Sequence, residues 1–131
     1  MAAEKYMVID PDGSTRWIEI ERCNMLQEFH KAIGTDMLEN VRTIFDHICL
    51  IVDELGKIRK PPKPHNDVAS DFYRGWIMYD DDIVGSAIVA AIHLVDGEPD
   101  WVPLNQEEQQ IVEGHMAICA LMKHSVLSQD G

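Results

Sequence analysis

The sequence is poor in the groupings that announce chemistry. Its three cysteines, Cys23, Cys49 and Cys119, are too far apart to form a CxxC pair, which excludes the usual zinc-ribbon and thioredoxin spacings. Their odd number also argues against a secreted disulfide scaffold, so reduced, mostly buried thiols in a cytoplasmic protein are expected. Neither GxxxxGK[ST] nor GxGxxG occurs, no serine sits in GxSxG, and the histidines form neither HxH nor HExxH. Phosphate loops, nucleophile elbows and zincin sites therefore lack their signatures. No catalytic residue, cofactor site or metal site is assigned, and the reading leans away from an enzyme.

Long apolar runs are missing as well. The longest stretch, Ile83 to Val95, is broken by Gly85, Ser86 and His93 and falls short of the ~20 residues of a membrane-spanning helix. The first residues show no apolar core of a signal peptide, so no membrane association is expected. Positive charge is scarce: 11 basic residues face 23 acidic ones, for a net charge of −12. That balance argues against direct nucleic-acid binding by phosphate neutralisation.

What is present suits one domain. The chain has 131 residues, of which 46% are hydrophobic, enough to bury a core without disulfides or metal. The reading places one α+β domain at 1–124 and a frayed tail at 125–131. Tyr6 to Ile9, the turn Asp10-Pro-Asp-Gly13 and the alternating Thr15 to Glu21 predict a hairpin with Ile18 and Ile20 buried and Trp17 either packed or partly exposed. Asn24 with Gln27 suggests a capping box, followed by the stripe Leu26, Phe29, Ile33 and a stop at Gly34. Met37 to Ile44 fits helix or strand. Ile48 to Val52 predicts a strand, Asp53 to Lys57 a turn, and the prolines at 61, 62 and 64 an extended surface segment. Asn66 is placed to cap a short helix ending near Tyr73 or Arg74. Ile83 to Val95 predicts a long central strand covered on both faces. A short edge strand at Asp100 to Leu104 follows. A final helix is capped by Asn105 and Glu108, with Ile111, His115, Ile118, Cys119 and Met122 as its core stripe. The order predicts a mainly antiparallel sheet of about five to six strands with two main helices and one short one.

From Ile51-Val-Asp-Glu-Leu-Gly-Lys57 onward the pattern resembles a known family. The hairpin, the helix ending near Gly34, the Val-Asp-Glu-x-Gly-Lys strand-turn, the prolines before Asn66 and Ala69, and Asp-Ile-Val-Gly at 82–85 together resemble domain of unknown function 3846. The resemblance spans about residues 5–113. It favours a strand at Met37 to Ile44 and implies a domain common on phages and mobile elements. It supplies no catalytic residues.

Four candidate features remain. Lys57, Arg59, Lys60 and Lys63 hold four of the 11 basic residues, and without them the net charge is −16. This arm is a candidate for holding a nucleotide or other anion, or else a solvated loop. Asp80, Asp81 and Asp82 form the densest acid cluster, readable as a site for a hard cation or as a charged strand entry. His47, His65, His93, His115 and His124 are scattered. Trp17, Trp76 and Trp101, with Tyr73 and Tyr79, are core or partner surface, and Trp101 is taken as the partner candidate. The preferred reading is a non-enzymatic acidic protein that uses its acidic surface and exposed aromatics to bind a basic surface of another protein, as a phage or mobile-element counter-defence or host-takeover factor. It assumes acids gathered apart from a small cationic arm. The alternatives are an anion-binding domain built on the arm and, less favoured, a metal-assisted hydrolase. A homodimer through an edge strand or the Trp101 region fits the same pattern.

Overall fold

Turn chemistry organises the first hairpin. Asp10-Pro-Asp-Gly13 reverses the chain between β1 (Glu4–Ile9) and β2 (Thr15–Ile20). The Gly13 N–H donates to the Asp10 carbonyl at 2.9 Å, and Gly13 takes a φ of 90°, a left-handed backbone that costs glycine little. The computed structural model describes residues 3–74 and 83–129, with side chains at 73–74 and 123–129 outside that description.

The remaining elements are α1 (Met25–Ile33), β3 (Leu38–Arg42), β4 (Ile48–Asp53), α2 (Asp67–Arg74), β5 (Ala87–Val95), β6 (Glu98–Val102) and α3 (Gln106–Gln129). The fold is α+β: a six-stranded antiparallel sheet in the order β2-β1-β5-β4-β3, with β6 also paired to β5. β5 pairs β1 through Ala87 to Val89 and β6 through Ala91 to Val95, while β4 lies along its other edge.

Side-chain alternation splits the core across the sheet. Met7, Ile9, Leu50, Val52 and Val89 face α2 and α3, where Phe72 and Val112 are fully buried. Tyr6, Val8, Cys49, Ile51, Ile88 and Ala90 face α1, through Phe29 and Ile33. The Tyr6 and Phe29 rings meet edge-on at 4.9 Å. All six residues of β4 are buried, which explains why that strand and β5 read as apolar on both faces.

Several local expectations need correction. Asn24 makes no side-chain cap, and Leu26 is exposed while Met25 packs inward. A 3-10 turn at Arg22–Asn24 leads into α1 and shifts the buried stripe. Gly34 does end α1 in the left-handed region, its N–H on the His30 carbonyl at 2.7 Å. Met37 to Ile44 contains a strand, β3. Residues 83–86 are not part of β5: Val84 makes only an isolated bridge to His65, and Gly85 has a φ of 75°. The late edge strand is β6, beginning at Glu98 rather than Asp100. Ile18 is half-buried and Ile20 buried.

The largest correction concerns α3. Its buried line is Glu108, Val112, His115 and Cys119, whereas Ile111, Ile118 and Met122 are exposed. Apolar residues on both sides of this helix give its sequence two candidate stripes, and contact with α2 and the sheet selects the one through Val112. The reciprocal cap is present: Asn105 and Glu108 each accept the other's backbone N–H, at 2.8 and 2.9 Å. The helical backbone runs on through Gln129, past the end expected near Lys123 and His124. No helix among the described residues is long and apolar enough to cross a membrane.

Candidate functional site

The basic arm does not stand apart from the acids. β4 ends at Asp53, whose carboxylate is fully buried. The turn that follows returns Arg59 and Lys63 to it. Arg59 reaches Asp53 through Nε and Nη2 and also donates to the Thr35 hydroxyl at 2.8 Å. Lys63 Nζ bonds Asp53 at 2.9 Å and the Ile33 carbonyl at 2.9 Å. Burial makes Asp53 harder to ionise, but hydrogen bonds from Arg59, Lys63 and the Leu55 N–H, with the Lys63 charge, outweigh it. The carboxyl is held well below its usual range. The segregated cationic arm expected from sequence is therefore replaced by a three-residue clamp in which the partly exposed Arg59 and Lys63 close on the buried Asp53.

The proline-rich segment is correspondingly pinned. The Lys63 N–H donates to the Gly56 carbonyl at 3.0 Å and the Gly85 N–H to the Pro64 carbonyl at 2.8 Å. Asn66 then interlocks three elements. Its side-chain oxygen accepts the Ala69 N–H at 3.1 Å, capping α2, and its amide donates to the Ile9 and Gly85 carbonyls at 2.9 and 2.8 Å. Lys57 and Lys60 are exposed. Lys57 borders a cavity of about 350 Å³ whose charged lining is Glu39, Asp53 and Glu54 against Arg42 and Lys57.

Trp101 is half-buried. Its ring lies 5.9 Å from Phe29, and its indole N–H donates to Asn40 at 2.9 Å. It packs against the side of α1 while staying partly exposed beside Ile92, Pro99 and Asp100. Asp80, Asp81, Asp82, Trp76 and Tyr79 lie outside the described residues, as do the side chains of Tyr73 and His124. Among the described residues, no group of three or more His, Cys, Asp or Glu could hold a metal ion.

One grouping is absent from the sequence reading. The His47 and His93 rings stack at 5.1 Å, and His93 Nε2 lies 2.7 Å from the nearly buried Glu108 carboxylate. Glu108 signalled its cap through its spacing from Asn105, but nothing local announces that β5 brings His93 to it. Cys49 is buried and its thiol is pushed up to about 12 by desolvation, which makes it a poor nucleophile.

The order of motifs noted in the sequence now has a structural counterpart in the strand-turn at Asp53, the Asn66 cap and the Gly85 corner. The sequence profile of the family described as Domain of unknown function (DUF3846) matches residues 4–117. The chain belongs to this family. Among solved structures, the chain is similar to one described as a small RNA methyltransferase, HEN1, with a TM-score of 0.56 and 15% identity. The likeness covers 84% of this chain but only 16% of that longer one, and it shows the fold alone. No curated protein matches the sequence. In this DUF3846 domain the motif residues Asp53, Gly56 and Gly85 serve the corner that holds Lys63. A Cβ at Gly85 would lie 2.7 Å from Lys63 Cδ, and one at Gly56 would lie 2.8 Å from Val84.

A second surface feature is Trp17, which is 45% exposed. It lies on the sheet face toward α3, cross-strand from Met7. An open groove of about 870 Å³ runs beside it, lined by Lys5, Glu19, Leu104, Gln109 and Glu113 among others.

Proposed function

We propose that this DUF3846 domain is a non-enzymatic interaction module that binds a basic surface of another protein. The observation that carries the reading is the fate of its cations. Lys5, Arg16, Arg22, Lys31, Arg59 and Lys63 each hold a carboxylate of the same chain, while the net charge remains −12. Unmatched charge is thus overwhelmingly anionic, which steers cationic partners and repels polyanions. The separate basic arm assumed from sequence is not there, since Arg59 and Lys63 pair with Asp53, and the reading is left to rest on net charge. A cytoplasmic module of this kind on a phage or mobile element would act as a counter-defence or host-takeover factor by occupying a basic groove.

Calorimetric titration with oligolysine at low and high salt tests it. A saturable complex of fixed stoichiometry, weakened by salt, is expected, with no response to duplex DNA. Uptake that never saturates would sink the reading. So would a larger thermal shift with nucleotides than with the cationic peptide, because that is the behaviour of an anion-binding domain. Arg59 and Lys63 already spend their charge on Asp53, which weighs against that alternative.

A further inference from the structure

We propose that β2 is a docking edge, to which an extended basic segment of a partner protein adds as a further antiparallel strand. The inference rests on the functional reading above and gives it a place and a partner chemistry. β2 pairs only with β1 among the described strands, in an unbroken register from Glu4 opposite Ile20 to Ile9 opposite Thr15. It carries no proline and no bulge, two devices that commonly blunt an edge. At the other end of the sheet, the Asn40 side chain of β3 accepts the Trp101 indole N–H, and just beyond the strand the Ile44 N–H is engaged by the Phe72 carbonyl.

The side chains of β2 specify what would dock. Trp17 and Glu19 share one face, and Glu113 lines the same groove from α3. Ile18 lies on the other face, half-buried against α1. An added strand places alternate side chains on these two faces. Those on the first meet an indole ring and carboxylates, which suit Lys or Arg through cation–π and ion-pair contacts. Those on the second meet Ile18, which suits a β-branched apolar residue. The Lys5–Glu19 pair, 3.4 Å apart, is more than 60% exposed on both sides, so an incoming cation can share Glu19 at little cost. A second copy of this chain fits the edge poorly, because it brings another −12 of charge.

The test uses the full chain and an alternating Lys-Val hexapeptide, with a Glu-Val hexapeptide as control. Amide hydrogen exchange should show new protection at alternating residues of 15–20 with the Lys-Val peptide alone. Trp17→Ala should weaken binding ~10-fold, as expected for loss of an aromatic anchor, and Glu113→Lys should weaken it by a smaller factor. If the Lys-Val peptide binds but protection falls elsewhere, and Trp17→Ala changes affinity less than ~2-fold, which is small on the scale of interface anchors, the edge assignment is overturned while the functional reading stands. If no cationic peptide binds at all, both fall. Protection of 15–20 that grows with protein concentration in the absence of peptide would give the edge to a second copy and overturn the proposal.

Discussion

The corner around Asp53 and the edge at β2 use the same residue types for opposite ends. At the corner, Asp53 has no exposed side-chain surface, and Lys63 is only 21% exposed. At the edge, Lys5 and Glu19 are 65% and 62% exposed. Both are Lys–carboxylate contacts within 3.4 Å. Burial makes the first a lock, because separating its members strands a charge away from water. Exposure leaves the second nearly neutral in energy and free to exchange partners. An ion pair in this chain thus says little until its depth is known.

The comparison breaks most severely at Asn66. Asn66→Ala removes a helix cap and strands two buried carbonyls, at an expected cost of about 4 kcal/mol in urea unfolding. A loss under about 1 kcal/mol would mean that the corner is not interlocked as described. Asp53→Asn comes next, at about 3 kcal/mol, because Lys63 keeps its charge without its partner. The pH dependence sharpens this point. The Asp53 carboxyl is depressed in the folded chain, so its contribution is complete above the unfolded value of about 4. It is lost as pH falls from there toward the folded value. Wild-type stability should drop across that acid range, and the Asp53→Asn profile should be flatter.

Gly85→Ala should cost about 2 kcal/mol, since a non-glycine residue at positive φ is strained and its Cβ would press on Lys63. The smallest effects belong to the edge. Glu19→Ala should change stability by no more than about 0.5 kcal/mol, and Trp17→Ala by about 1 kcal/mol or less, given its exposure. A large loss of stability at Trp17 would recast it as core and remove the contrast between the two regions.

Much of the fold was legible because its signals are local. The Asp10–Gly13 turn, the Gly34 stop, the Asn66 cap and the Asn105–Glu108 box depend on residues within four positions of one another. The misses involve choices between equivalent local patterns. α3 offers two apolar lines, and only packing against α2 decides for Val112 over Ile111. Residues 83–86 look like strand, yet the Asn66 N–H takes the Ile83 carbonyl and the Gly85 N–H takes that of Pro64, which holds this stretch out of β5. The basic arm reads as free because Asp53 precedes it as an ordinary turn residue.

The amino-acid order alone determined the alternation of strands and helices, the two-sided apolar character of β4 and β5, and a charge of −12. These follow from periodicity, turn residues and composition. Only the tertiary structure decided which charges are locked and which are available. It folded Arg59 and Lys63 onto Asp53, brought His93 to Glu108, and left Trp17 beside a strand edge that no other described strand pairs. The physical reason is that the strength of a charge or an exposed ring depends on burial and on neighbours distant in sequence, and neither is written into any short stretch of the chain.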